Sequence, residues 1–235
     1  MELKITTLNI RSGGGKRLEN ILNFLNELDS DIYLLTEFRR NKVSKKLFEN
    51  LKKNGYPYFQ SPADEGNLNS VLVASKYKFI QIKTPNLPIT ESNRLTAIKL
   101  FGIVFIGVYF AQKKEKKALF QYLLKYKDDL IQDPTILIGD FNTGLIKDDS
   151  REKGFVHMDL FNSLISRNLI DIWRKRNSMS KEYSWKHKYS GNEFRIDHIL
   201  GTKSIDIRTT KVFYSHDIKD NNYSDHSALT LFIDI

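Results

Sequence analysis

Apolar residues recur along this chain with two periods, and the switches between them mark out the elements. Leu3-Lys4-Ile5-Thr6-Thr7-Leu8 alternates with a strand's period of two, then runs into Asn9, Arg11 and the turn Ser12-Gly13-Gly14-Gly15. From Lys16 to Leu28 the apolar positions 18, 21, 22, 25 and 28 form one helical stripe. The run Asp31-Ile32-Tyr33-Leu34-Leu35-Thr36 predicts a second strand ending on Glu37, and a helix follows over Lys42–Lys53. Pro57–Gln60 reads as extended and Ser61–Asn67 as a loop, with Ser70–Ser75 and Lys78–Lys83 as consecutive strands. Arg94–Phe101 and Ile103–Phe110 predict a hairpin about Gly102, and Lys114–Asp129 an amphipathic helix. Thr135-Ile136-Leu137-Ile138 predicts a buried strand that stops at Gly139. Beyond it lie a helix over Phe155–Arg167 and strands near 183–187, 194–200, 208–214 and 228–234. No repeat, linker or compositional break divides the chain, so residues 1–235 are expected to form a single domain. Two strand-rich halves, each with helices, point to an α/β fold in which two sheets pack face to face with helices outside.

Composition narrows the setting. With 235 residues, 40% of them hydrophobic, the chain can bury a substantial core, and its mean hydropathy of −0.42 suits a soluble protein. No apolar stretch approaches the roughly 20 residues that span a bilayer. The N-terminus begins as a strand rather than as a basic-then-apolar export signal. Cysteine is absent, which removes disulfides and thiolate metal sites. A cytoplasmic monomer without stable membrane association is the expectation. The net charge of +9, from 37 Lys and Arg against 28 Asp and Glu, favours polyanionic partners and nucleic acid first among them. Solvated lysine-rich helix faces would give the same excess.

The chemistry lies where apolar runs end. Gly139-Asp140-Phe141-Asn142 places a carboxylate and an amide two residues apart at the close of a buried strand, although Asp and Asn also favour turns for local reasons. Five further runs end on or contain polar residues of the same kind: Asn9, Glu37, Tyr109, Asp197 within Arg195-Ile196-Asp197-His198-Ile199-Leu200, and Ser224-Asp225-His226 before the last strand. A carboxylate inside an apolar strand is costly unless paired, so Asp197 requires a partner. An ordinary salt bridge to a nearby Arg would satisfy that requirement. His198 should face away from Asp197 across the strand.

This ordered set resembles the endonuclease/exonuclease/phosphatase superfamily of metal-dependent phosphoesterases, which includes exonuclease III and the abasic-site endonucleases. The match runs from Leu8-Asn9 to Ser224-Asp225-His226, and Gly139-Asp140-Phe141-Asn142 and Arg195-Ile196-Asp197-His198 are its most specific parts. The resemblance implies a four-layer α/β/β/α sandwich of two mixed β-sheets with outer helices and a cleft at one edge. It implies hydrolysis of nucleic-acid phosphodiesters, DNA above all, with Mg²⁺ as cofactor and Mn²⁺ able to substitute. By the same resemblance Glu37 would be the principal metal ligand, with Asn9 and Asp225 beside it. Asp140 would deprotonate the attacking water, and Asn142 and Tyr109 would hydrogen-bond phosphate. His226, fixed by Asp197, would stabilise the developing charge.

Arg94 and Arg11 would reach the substrate. Trp185 and Phe194 resemble aromatic residues around the abasic pocket, where they could stack on a base or sugar, although core packing is their plainer role. Two departures stand out. Arg11 occupies a position that usually carries a further carboxylate, and Tyr109-Phe110-Ala111-Gln112 lacks the usual Pro and Asn. A phosphoesterase for small or lipid phosphates, and a catalytically silent nucleic-acid-binding module, remain as alternatives.

Overall fold

The computed structural model describes residues 1–146, 148–150, 154–166 and 168–235. From the N-terminus run β1 (Glu2–Asn9), α1 (Leu18–Leu28), β2 (Ile32–Phe38), α2 (Lys42–Lys53), β3 (Tyr58–Gln60) and β4 (Ser70–Ser75). The chain then crosses to a second sheet with β5 (Ile80–Ile82), β6 (Leu95–Leu100) and β7 (Ile103–Tyr109). Helices α3 (Lys117–Lys125) and α4 (Lys127–Leu130) lead to β8 (Thr135–Asp140), and α5 (Met158–Ile165), β9 (Ile170–Asp171) and α6 (Ile172–Arg176) follow. A separate two-stranded hairpin, β10 (Trp185–Lys186) and β11 (Glu193–Phe194), precedes β12 (Asp197–Gly201) and α7 (Lys203–Arg208). The chain closes on β13 (Thr209–Ser215), α8 (Asp217–Asp220) and β14 (Ala228–Asp234).

Two mixed six-stranded sheets result, ordered β13-β14-β1-β2-β4-β3 and β5-β6-β7-β8-β12-β9. Each contains one parallel pair, β1 with β2 and β7 with β8, joined by a helical crossover. Strand alternation builds the layers. Leu3, Ile5, Ile32 and Leu34 of one sheet meet Phe105, Ile136, Ile138 and Ile199 of the other in a shared core. The opposite parity, Leu8, Tyr33 and Leu35, receives Ile21, Leu22 and Leu25 of α1 with Leu47 and Leu51 of α2. On the far side Ile106, Val108 and Leu137 receive Leu119, Phe120 and Leu123 of α3 with Phe161 of α5. This is the expected four-layer sandwich. Among the described residues no helix is long and apolar enough to cross a membrane.

Several predicted boundaries move, for local reasons. The strands at 70–75 and 78–83 do not pair with each other; β4 joins β2 and β3, whereas β5, reduced to Ile80–Ile82, joins β6 in the other sheet. The helix expected over Lys114–Asp129 begins only at Lys117 and breaks at Tyr126, whose φ and ψ of −101° and 20° leave the helical region. The helix expected over Phe155–Arg167 is Met158–Ile165, because His157 is left-handed at φ 60°; Arg167 lies outside the described residues. The strand expected over 194–200 divides at Arg195, whose N–H turns aside to the Asp149 carbonyl.

Candidate active site

The shared core gives way to polar residues at one rim. β1, β2, β7 and β8 deliver their C-terminal ends there, while β12 and β14, antiparallel to their neighbours, begin there. Parity selects the side chains. Leu3 and Ile5 face the opposing sheet, and Asn9 follows on the same face; likewise Ile136 and Ile138 lead to Asp140, Phe105 leads to Tyr109, and Ile199 lies two residues from Asp197. The register sets Tyr109 beside Asp140, and Asp140 beside Asp197. Gly139 permits this spacing: a Cβ there would lie 2.0 Å from the Val108 carbonyl oxygen.

Glu37 arrives by a bulge. The pairing of β2 with β4 shifts between Thr36 and Phe38, and Glu37 takes a left-handed φ of 54°. Arg11 (51°), Ser12 (56°) and Asn142 (50°) are left-handed as well. Such backbones cost about 1–3 kcal/mol each and cluster where function demands them. Glu37 Oε1 accepts from Asn9 Nδ2 at 3.2 Å and lies 3.5 Å from the Tyr109 hydroxyl, while Oε2 accepts from the Ser12 N–H at 2.8 Å.

The same Asn9 amide donates to Asp140 Oδ2 at 3.0 Å, and the other Asp140 oxygen accepts from the Asn142 N–H at 2.8 Å. Burial and the neighbouring Asp197 carboxylate raise the Asp140 carboxyl to about 7, against the pull of His226. Asn142 Nδ2 donates to the Phe110 carbonyl at 2.8 Å. His226 Nδ1 meets Asp197 Oδ2 at 2.8 Å, both residues buried. Burial opposes an imidazolium there, yet Asp197 and Asp140 outweigh it and hold His226 up at about 10. The Ser224 hydroxyl donates to the Asn9 carbonyl at 2.6 Å and accepts from the His226 N–H, tying this loop to β1.

Asp140, Asp197 and His226 offer donor atoms within 4.8 Å of one another. A cationic His226 has no lone pair to offer a metal, so this trio is better described as an ion-pair network. An all-oxygen set lies on its other side, with Glu37 and Asp140 sharing the Asn9 amide. The contacts to Glu37 Oε1 are long, so this oxygen could take a hard cation while Oε2 stays on the Ser12 N–H. Asn9 Oδ1 accepts from the Arg11 N–H at 2.8 Å and so faces away from Glu37. Asp225 is half-exposed at the mouth, where it accepts from Trp185 Nε1 at 3.3 Å and lies 3.7 Å from Arg11 Nε.

Trp185 and Phe194, 5.8 Å apart between ring centres, stand on the β10–β11 hairpin rather than in the main core, with Trp185 6.3 Å from His226. Burial pushes the Tyr109 phenol well up, which keeps it a neutral donor. Arg94 lies 5.3 Å from the Tyr109 ring and 3.6 Å from the buried Glu91. The structure thus gathers Asn9, Glu37, Tyr109, Asp140, Asn142, Asp197 and His226 in one cluster, and sets Arg11, Arg94, Trp185, Phe194 and Asp225 around its mouth.

Asp197 does not use the Arg alternative. Fully buried Arg195 instead bridges Asp149 and Asp171, at 2.6 Å each, and against the effect of burial it holds Asp171 well below the usual carboxylate range. His198 points away as expected and contacts Asp171 and the Thr143 carbonyl. Residues that the sequence reading passed over include Asn69, which donates to the Tyr109 hydroxyl at 3.3 Å, and Arg39, whose Nε donates to Asn69 Oδ1 at 2.6 Å.

Lys116 was hidden in a run that reads as solvated helix, yet it is 3% exposed and donates to the Asn142 carbonyl. Burial lowers it to about 8, partly offset by Asp140. The unfolded chain therefore binds more protons between pH 8 and 10.5, and stability from this group rises with pH through that window. Wild type should gain about 3 kcal/mol relative to Lys116→Met over that range, read by urea unfolding. Parallel curves would mean that the folded protein does not strain this cation.

A sequence model of the endonuclease/exonuclease/phosphatase family matches residues 6–226. Among solved structures, a 3′ phosphatase from Neisseria bound to product DNA hairpin superposes with TM-score 0.86 at 22% identity, covering 99% of this chain and 100% of that one. An AP endonuclease from Archaeoglobus fulgidus gives 0.82 at 22% identity, with the same coverage. An AP endonuclease from Leishmania major gives 0.77 at 15%, covering 100% of this chain and 88% of that one. At these identities the likeness establishes the fold.

Proposed function

Because the chain belongs to the endonuclease/exonuclease/phosphatase family, we propose that it is a Mg²⁺-dependent phosphodiesterase that hydrolyses nucleic acid, with DNA as its substrate. The observation that carries this reading is the placement of Asp140, with its carboxyl raised to about 7, between the His226–Asp197 ion pair and the Glu37 carboxylate. A base poised near neutrality, a cation for phosphate and a carboxylate for a metal are the three parts that phosphodiester hydrolysis requires.

In this reading Asp140 takes a proton from the attacking water, and the imidazolium of His226 lies against the phosphate oxygens. Tyr109 donates its hydroxyl to phosphate. Asn142 spends one N–H on Phe110, and its other, only 3.4 Å from Asp140 Oδ2, serves phosphate. Arg94 and Arg11 hold the flanking strand. Glu37 is the principal metal ligand, the Asn9 amide N–H steadies its carboxylate rather than ligating the ion, and Asp225 takes an outer position. When bound, the ion neutralises charge at the phosphate and orients water. The charge of +9 and the product DNA hairpin in the Neisseria neighbour favour nucleic acid over small or lipid phosphates.

The deciding assay uses Mg²⁺ and Mn²⁺ against single- and double-stranded DNA, abasic DNA, RNA and inositol phosphates. Turnover confined to inositol phosphates, or unaffected by chelation, would overturn the reading. Glu37→Gln should weaken Mn²⁺ binding at least about tenfold in a paramagnetic-resonance titration. Unchanged binding would move the metal elsewhere.

A further inference from the structure

We infer that the β10–β11 hairpin is a stacking platform for unpaired nucleotides, so that frayed, mismatched or single-stranded ends are preferred over fully paired ones; this rests on the nucleic-acid reading above. A groove of about 740 Å³ opens directly beside Asp225, within the usual size range of ligand sites. Its walls include Arg11, Trp185, His187, Tyr189, Lys219 and Asn222.

From the catalytic cluster a chain of rings leads outward along this groove. His226 to Trp185 is 6.3 Å, Trp185 to His187 is 5.6 Å, and His187 to Tyr189 is 6.0 Å between centres. The last two contacts are edge-to-face, at 61° and 62°, so the rings are not stacked on one another and ring faces stay open. Tyr189, at the far end, is 88% exposed. An aromatic ring left in water at the tip of a turn gains nothing from core packing, and every nucleobase offers a π-face to such a ring.

The turn is held rather than loose. His187 Nδ1 pairs with the Ser190 hydroxyl at 2.8 Å, and the backbones of His187, Gly191 and Asn192 exchange hydrogen bonds at 2.8 and 2.9 Å. Exposed Lys186 and Lys188 alternate with the rings, with Lys188 Nζ 5.9 Å from the Tyr189 ring, and Arg11 lines the same groove. Cations interleaved with aromatic rings match a polynucleotide strand, phosphate by phosphate and base by base. A duplex keeps its bases stacked on each other and can offer these rings little more than its end. Unpaired nucleotides can enter the groove at no cost in pairing.

The chain has two tryptophans, and Trp173 is buried at 1% exposure, so a base in the groove quenches Trp185 alone. The experiment titrates the full-length protein, with chelator present, with an oligothymidylate and separately with a blunt-ended two-strand DNA duplex. Wild type should show quenching and tighter binding with the oligothymidylate. His187→Ala/Tyr189→Ala should bind it roughly tenfold more weakly, with duplex affinity held within about twofold. Tyr189→Phe should retain wild-type affinity.

Equal losses on both ligands, or no loss on either, would overturn the platform. Hydrolysis of the same DNAs by wild type with Mg²⁺ is read in parallel. Absence of hydrolysis with the binding pattern intact would sink the phosphodiesterase reading alone, and hydrolysis with unchanged single-strand affinity would sink the platform alone.

Discussion

Asp140→Asn should lower metal-dependent turnover by roughly 10²–10⁴-fold while the protein remains folded. The substitution preserves size and keeps an oxygen to accept from the Asn142 N–H, so the turn that carries Asn142 is retained. What it removes is the proton acceptor whose carboxyl burial and Asp197 have raised to about 7. It also removes one of two carboxylates facing each other across paired strands, which relieves repulsion. The signature is therefore a large fall in kcat with an unfolding midpoint equal to or above that of wild type, measured on one preparation by steady-state kinetics and thermal denaturation. Near-normal turnover would remove Asp140 from the chemistry. A fall accompanied by unfolding would leave it a structural residue.

The site residues that the sequence reveals are those that obey strand parity. Asn9, Tyr109, Asp140 and Asp197 lie in step with apolar neighbours that face the opposing sheet, so the period of two that defines their strands also aims their side chains inward. The opposite directions of Asp197 and His198 follow from the same rule. Glu37 obeys it only through a bulge, and a bulge leaves no periodic trace. Lys116 is concealed because a lysine run has the same appearance whether one member turns inward or all face water.

The brace of Arg195 with Asp149 and Asp171 joins residues 24 and 46 positions apart, and nothing local to Arg195-Ile196-Asp197 announces its partners. Asp225 is adjacent in sequence to His226, yet the chain turns it outward to Trp185 and Arg11.

His226→Ala should cost turnover roughly 10²–10³-fold, the usual consequence of removing one preorganised group that meets developing charge. It should also cost stability, because Asp197 would remain buried with its hydrogen-bonded counterion gone; breaking one side of a buried pair typically costs about 3–5 kcal/mol. Asp197→Asn, conversely, removes the interaction that overcomes burial and holds His226 as a cation, so turnover should fall toward the level of His226→Ala.

The double variant His226→Ala/Asp197→Asn separates the two roles. If Asp197 works through His226, the double variant is no slower than His226→Ala alone, and it regains most of the lost stability because neither charge is left buried by itself. Turnover and urea unfolding on the four proteins close this cycle. A double variant slowed by the product of the two single factors would mean that Asp197 meets the substrate or the metal on its own account, through the carboxylate oxygen that has no hydrogen-bond partner among the described residues.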